Sequence, residues 1–131
     1  MIKLIVGTKG SGKTKAMIDM INDSVKTSKG NVVVVEKGMK LTYEIHNAAR
    51  LIDLDEYKIA GGEMLYGFVA GLLASNYDIT DLYIDGILKV PTISLIIVLS
   101  SCIFHASRRE IIFCSARCYF SFASSSAVRF S

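Results

Sequence analysis

Gly7, Thr8, Lys9, Gly10, Ser11, Gly12, Lys13 and Thr14 match the spacing G-x-x-x-x-G-K-[ST] at every position. Each residue type there has a chemical reason. Glycines let a loop turn its backbone N–H groups inward around an anion, at torsions and approaches that a Cβ obstructs. A helix opening near Thr14 aims the positive end of its dipole at the same place. In such a loop the lysine, here Lys13, reaches the β- and γ-phosphates of a nucleoside triphosphate, and the hydroxyl of Thr14 ligates magnesium. This is the pattern of a Walker A phosphate loop. Residues 7–14 are the expected contacts to ATP and Mg2+.

A phosphate loop also needs a carboxylate on a neighbouring strand to hold the hydrated magnesium. Leu82-Tyr83-Ile84-Asp85 is a short apolar run ending in an acid, as a Walker B strand should be. Leu51-Ile52-Asp53-Leu54-Asp55-Glu56 offers an Asp-Glu pair, but Asp53 interrupts its apolar run, and a solvated loop after an edge strand explains that pair better. Asp85 is therefore the expected metal acid, with Lys13 as the expected catalytic cation. A general base is harder to place. The position after Asp85 is Gly86, where many hydrolysing P-loop enzymes carry Glu. Glu36 could approach the γ-phosphate, although a satisfied surface carboxylate is the commoner fate. His46 and His105 are isolated and read as surface or boundary residues; Arg50 could face the phosphates, although a surface ion pair is the commoner fate. The tyrosines at 43, 57, 66, 77 and 83 read as core and rim packing.

The elements that must hold these residues follow from periodicity. Residues 2–6 form an apolar run ending at the glycine loop, which predicts a buried parallel strand. From Thr14 to Thr27, Ala16/Met17, Met20/Ile21 and Val25 recur at helical spacing, and Gly30 suits the left-handed position beyond the helix. Val32-Val33-Val34-Val35 is a β-branched run that predicts a central strand, completing a right-handed βαβ unit. Residues 41–45 and 50–54 could each be a short strand. The stretch from Glu63 to Ala74 is apolar nearly all round and predicts a helix buried between the sheet and another layer, with Gly67 and Gly71 allowing close approach. The fold class is α/β. The expected architecture is a three-layer P-loop NTPase fold with a mostly parallel sheet, incomplete or aberrant after about residue 90.

That boundary comes from composition. The 131 residues carry a net charge of +3, but residues 1–90 balance eleven basic against eleven acidic side chains. The excess lies in residues 91–131, where four arginines face the single Glu110. No basic surface supports nucleic-acid binding in the first part. Beyond residue 90, Gly, Asp, Asn and Lys vanish, ten serines and five phenylalanines appear, and all three cysteines (Cys102, Cys114, Cys118) are found. An odd cysteine count without CxxC spacing argues against zinc and against a disulfide framework. The apolar stretch 93–104 is shorter than the roughly 20 residues of a membrane span, so no transmembrane segment is inferred. Too few residues separate it from the preceding strand for a parallel crossover. Two units are expected: a nucleotide-binding domain over 1–90 and a Ser/Phe/Cys-rich tail over 91–131, read out of frame or misjoined. The N-terminus has no signal-peptide pattern, which makes the cytoplasm the expected location.

Over residues 1–90 the chain resembles a family of short bacterial P-loop proteins, often labelled ATP-binding protein or twitching motility protein PilT. The resemblance rests on Met1-Ile2-Lys3-Leu4-Ile5-Val6-Gly7, the loop 10–14, Lys40-Leu41-Thr42-Tyr43, Arg50-Leu51-Ile52-Asp53 and Ile84-Asp85-Gly86. It implies ATP binding by residues 7–14 with Asp85 as the Walker B acid. Pilus-retraction motors themselves share only the Walker A loop with this chain. At the level of fold, the N-terminal pattern also resembles thymidine-kinase-like and RecA-like P-loop domains. The expected function is ATP–Mg binding with slow hydrolysis. A small-molecule kinase and a non-catalytic regulator, read by a protein partner yet unknown, are the alternatives. No Asn-Lys-x-Asp guanine-reading motif occurs, which favours adenine.

Overall fold

The structure is a computed structural model that describes residues 2–8, 10–86, 110–115 and 126–129. The elements run β1 (Ile2–Val6), α1 (Lys13–Thr27), β2 (Asn31–Glu36), β3 (Arg50–Asp53), α2 (Gly61–Ser75), β4 (Ile79–Ile84), β5 (Glu110–Ser115) and β6 (Ser126–Arg129). They make an α/β fold around one sheet in the order β3-β2-β4-β5-β1-β6. Every pairing in it is parallel. The carboxyl ends of all six strands therefore lie along one edge, and that edge carries Gly7, Glu36, Asp53 and Asp85.

The valine run of β2 shows why the sheet is covered on both faces. Val33 and Val35 join Ile52, Leu82 and Ile84 against Leu65, Val69 and Leu73 of α2. Val32 and Val34 join Ile5, Tyr83 and Ile112 against Met17, Ile18 and Ile21 of α1. A strand buried on both faces needs apolar residues at consecutive positions, and β-branched side chains suit that setting. Tyr83 is 1% exposed, yet its hydroxyl is satisfied, lying 2.6 Å from Ser24 Oγ and donating to the Met20 carbonyl at 3.1 Å. A buried phenol keeps its place by such partners.

Several expectations change at this level. Residues 41–45 form turns rather than a strand, with Glu44 and Ile45 N–H groups both returning to the Leu41 carbonyl. Gly30 is not left-handed: its Cα sits so close to Thr80 and the Asp78 carbonyl that no side chain fits. The helix α2 is buried along one stripe only. Among the described residues, Gly67 and Gly71 have nothing near the place a Cβ would take and are exposed, and Met64 is 51% exposed. Tyr43 and Tyr77 are exposed instead of packed. The strand bearing Asp85 is not adjacent to β1, because β5 pairs with both and separates them. Part of the residues beyond the composition break thus lies inside the sheet, and Ile112 is 1% exposed. The stretch 93–104, His105, Cys102 and Cys118 fall outside the described residues. Among the described residues, no helix is long and apolar enough to cross a membrane.

Candidate functional site

The loop after β1 owes its shape to its glycines. Gly10 and Gly12 stand at φ +82° and +84°, a region that L side chains enter only at a cost of about 1 kcal/mol or more. Among the described residues, nothing lies within 4 Å of where their Cβ atoms would be. The Ser11 N–H donates to the Thr8 carbonyl at 3.2 Å and tightens the turn. The helix α1 then begins at Lys13 with Gly12 as its N-cap and no side-chain cap. Its first N–H groups have no partner from a capping side chain, which is the condition under which a helix start receives an anion.

Lys13 is only 8% exposed and folds back over the loop. Its Nζ donates to the Thr8 carbonyl at 2.5 Å and lies 3.4 Å from Ser11 Oγ. The cation thereby sits among the loop's own atoms, held by neutral oxygens. Thr8, Gly10, Gly12 and Thr14 are exposed, Gly7 and Ser11 are half-buried, and Lys9 lies outside the described residues. The strand connections also diverge here. β1 leads to β2, three places to one side, whereas its neighbour β5 precedes β6 on the far side of β1. In open α/β sheets, crevices that take ligands form at such switch points, outside the carboxyl ends of the strands.

Asp85 follows β4, half-buried, with its N–H donated to the Val35 carbonyl at 2.9 Å. Its Oδ1 accepts the Gly86 N–H at 2.7 Å. With one strand between β4 and β1, the two ends stand about 10 Å apart across the sheet, twice the usual strand spacing. Phosphates and a hydrated ion would have to bridge that gap. Among the described residues, no three His, Cys, Asp or Glu side chains converge to hold a metal by themselves.

Glu36 and Asp53 are committed to the backbone. Glu36 is not a surface carboxylate but 2% exposed, and its Oε1 accepts the Leu41 N–H at 3.0 Å. Burial raises its pKa above the ordinary value, helped by the charges of Asp85 and Asp53 and opposed by the N–H groups of Leu41 and Lys40. Asp53 Oδ1 accepts the N–H groups of Gly38 and Asp55, each at 3.0 Å, and these lower its pKa. The interruption of the apolar run at Asp53 is thus a clamp, a role the sequence hides because Gly38 is fifteen residues away. Asp55 and Glu56 are exposed beyond the edge strand β3, and Asp55 pairs with Lys37 at 3.6 Å. Asn22 has a positioning role that the sequence also hides. Its amide donates to the Glu44 carbonyl at 3.1 Å and accepts the His46 N–H at 2.9 Å, tying α1 to the β2–β3 connection. Nothing in the spacing of a helix marks such a residue. His46 and Arg50 are exposed. Compared with known proteins, the chain matches no family model and no curated sequence.

Proposed function

We propose that this chain binds ATP with Mg2+ through residues 7–14 and hydrolyses it slowly. The observation that carries the reading is the loop itself: two left-handed glycines and an uncapped helix start surround a buried lysine whose present partners are neutral oxygens. A triphosphate offers Lys13 a stronger, charge-assisted set of acceptors than a carbonyl and a hydroxyl. Among the described residues nothing stands against the two glycines, which suits the approach of an anion. Mg2+ commonly uses one or two protein oxygens and completes its shell with phosphates and water. Thr14, exposed on the first turn of α1, and Asp85 are the side chains that would hold it. Bound magnesium would neutralise charge that develops on the phosphates.

A second reading has one observation in its favour. Glu36 is occupied by Leu41, and Gly86 follows Asp85, so no free carboxylate is aligned beside the metal acid among the described residues. A phosphoryl acceptor bound next to the loop, as in a small-molecule kinase, would not need one. A regulator whose protein partner reads the bound nucleotide would not either. Titration of the purified chain with ATP and GTP, with and without Mg2+, tests the common premise. ATP binding enhanced by Mg2+ is expected, and its absence with both nucleotides overturns the reading. Phosphate release in acceptor-free buffer then separates the hydrolase from its alternatives.

A further inference from the structure

We infer that Glu36 is a positioning residue for Asp85, acting through the turn 37–41 and not through its own charge; this rests on the nucleotide reading above. β2 and β4 pair in register up to Val35 and Ile84, so Glu36 and Asp85 are the next residues on adjacent strands. The chain beyond Glu36 folds straight back. Gly38 and Met39 adopt φ of 97° and 50°, and the Leu41 N–H returns to the Glu36 carboxylate at 3.0 Å. Leu41 is 1% exposed in the core under α1, so the far end of the turn is fixed. Asp53 secures the other side by accepting the Gly38 N–H, and the Leu54 N–H donates to the Glu36 carbonyl at 2.8 Å.

The turn fixed in this way is the wall behind Asp85. A Cβ placed on Gly86 would lie 3.5 Å from Lys37 Cβ and 3.8 Å from Lys37 N, so Lys37 packs against the Asp85–Gly86 turn. Gly86 in turn holds the Asp85 carboxylate through its N–H, from a backbone at φ 79°. Removing the Glu36 carboxylate leaves the buried Leu41 N–H without its acceptor, a cost that is met by opening the turn. Lys37 then leaves Gly86, and Asp85 loses its fixed direction. A side-chain amide oxygen still accepts the Leu41 N–H, so Glu36→Gln keeps the wall.

The experiment measures ATP affinity by calorimetry with and without Mg2+, for wild type and variants. Glu36→Ala should lose about tenfold of the Mg2+ enhancement, the usual scale for groups that orient a metal ligand. Mg2+-free ATP affinity should not move, because Lys13 and the loop are three strands away from β2. Glu36→Gln should restore the enhancement to within about twofold of wild type, since the acceptor is kept. A Glu36→Gln protein as impaired as Glu36→Ala overturns the inference, because the charge would then be what matters. An unchanged Glu36→Ala protein overturns it too. Should Glu36→Ala fail to fold, Asp53→Ala opens the same turn from the exposed side and must also reduce the enhancement; an unchanged value there refutes the role. A wild type that binds ATP without any Mg2+ effect removes the premise for Asp85 itself and is distinguished at the first titration.

Discussion

The two ends of the carboxyl edge use polar groups in opposite ways. At β1, glycines, backbone N–H groups and one lysine form a loop with no described atom against its two left-handed glycines, and the lysine's partners are the loop's own oxygens. At β2 and β3, two carboxylates are spent on backbone N–H groups, and their loop is closed by them. The first arrangement leaves donors that a ligand can recruit. In the second, Asp53 Oδ1 and Glu36 Oε1 already accept backbone N–H groups of the loop they close. Asp85 stands between, with one oxygen held by Gly86 and its side chain half-buried. A cluster of acids at an edge is therefore not by itself a metal site, and a buried cation held by neutral oxygens is the more informative sign.

The strand β5 joins these two ends, and Ile112 is its described core residue, packed with Ile5, Met17 and Tyr83. Ile112→Ala should lower unfolding stability by about 2–5 kcal/mol, as buried large-to-small changes do. Urea denaturation measures it. If residues 91–131 are foreign to the domain, as their composition proposes, the substitution should instead be nearly silent and the two ends are held together by something else.

Lys13→Ala removes the cation from the β1 end and should cost about 1–3 kcal/mol of ATP binding, roughly tenfold or more in affinity. A folded Lys13→Ala protein with wild-type affinity would erase the difference between the two ends.

Much of this contrast was legible in the chain. β1, β2 and the phosphate loop follow from local pattern: an apolar run into glycines, and four valines in a row. α1 begins one residue earlier than its periodicity requires, at Lys13. What local pattern could not show were contacts between distant residues. Glu36 reads as a surface acid until Leu41 folds back on it, and Gly30 reads as a left-handed stop until Thr80 is found against it. The place of β5 between β1 and β4 is likewise a matter of pairing, which periodicity leaves open. The buried face of α2 is not legible in its sequence, because an apolar composition carries no direction when alanine and glycine fill the outer positions.

Asp85→Asn tests the residue between the two ends. It keeps shape and the Gly86 contact but removes charge, so Mg2+ should enhance ATP binding several-fold less than in wild type, roughly the scale of one charge-assisted ligand. Asp55→Asn and Glu56→Gln, exposed beyond β3, should leave that enhancement nearly intact. The reverse pattern, read by the same titration, would move the metal acid to the closed end and abolish the distinction.

The smallest effect concerns the closed end alone, and its sign follows from linkage. Burial, then the charges of Asp85 and Asp53, raise the Glu36 pKa above its ordinary 4.5, while the N–H groups of Leu41 and Lys40 only partly offset them. The folded chain therefore holds the Glu36 proton to higher pH than the unfolded chain does. Its contribution to stability is fully present below 4.5 and is lost as pH rises through the raised value. Asp53 behaves oppositely. Its pKa is held below 3.8 by Gly38 and Asp55, so its contribution is present above 3.8 and is lost as pH falls through the lowered value. Urea midpoints should show wild type losing stability relative to Glu36→Gln as pH climbs from 4.5 towards neutrality. Asp53→Asn should show its deficit against wild type shrinking only in the acid range. A wild type that gains on Glu36→Gln with rising pH would mean that the two N–H groups outweigh burial, and that Glu36 is held as firmly ionised as Asp53.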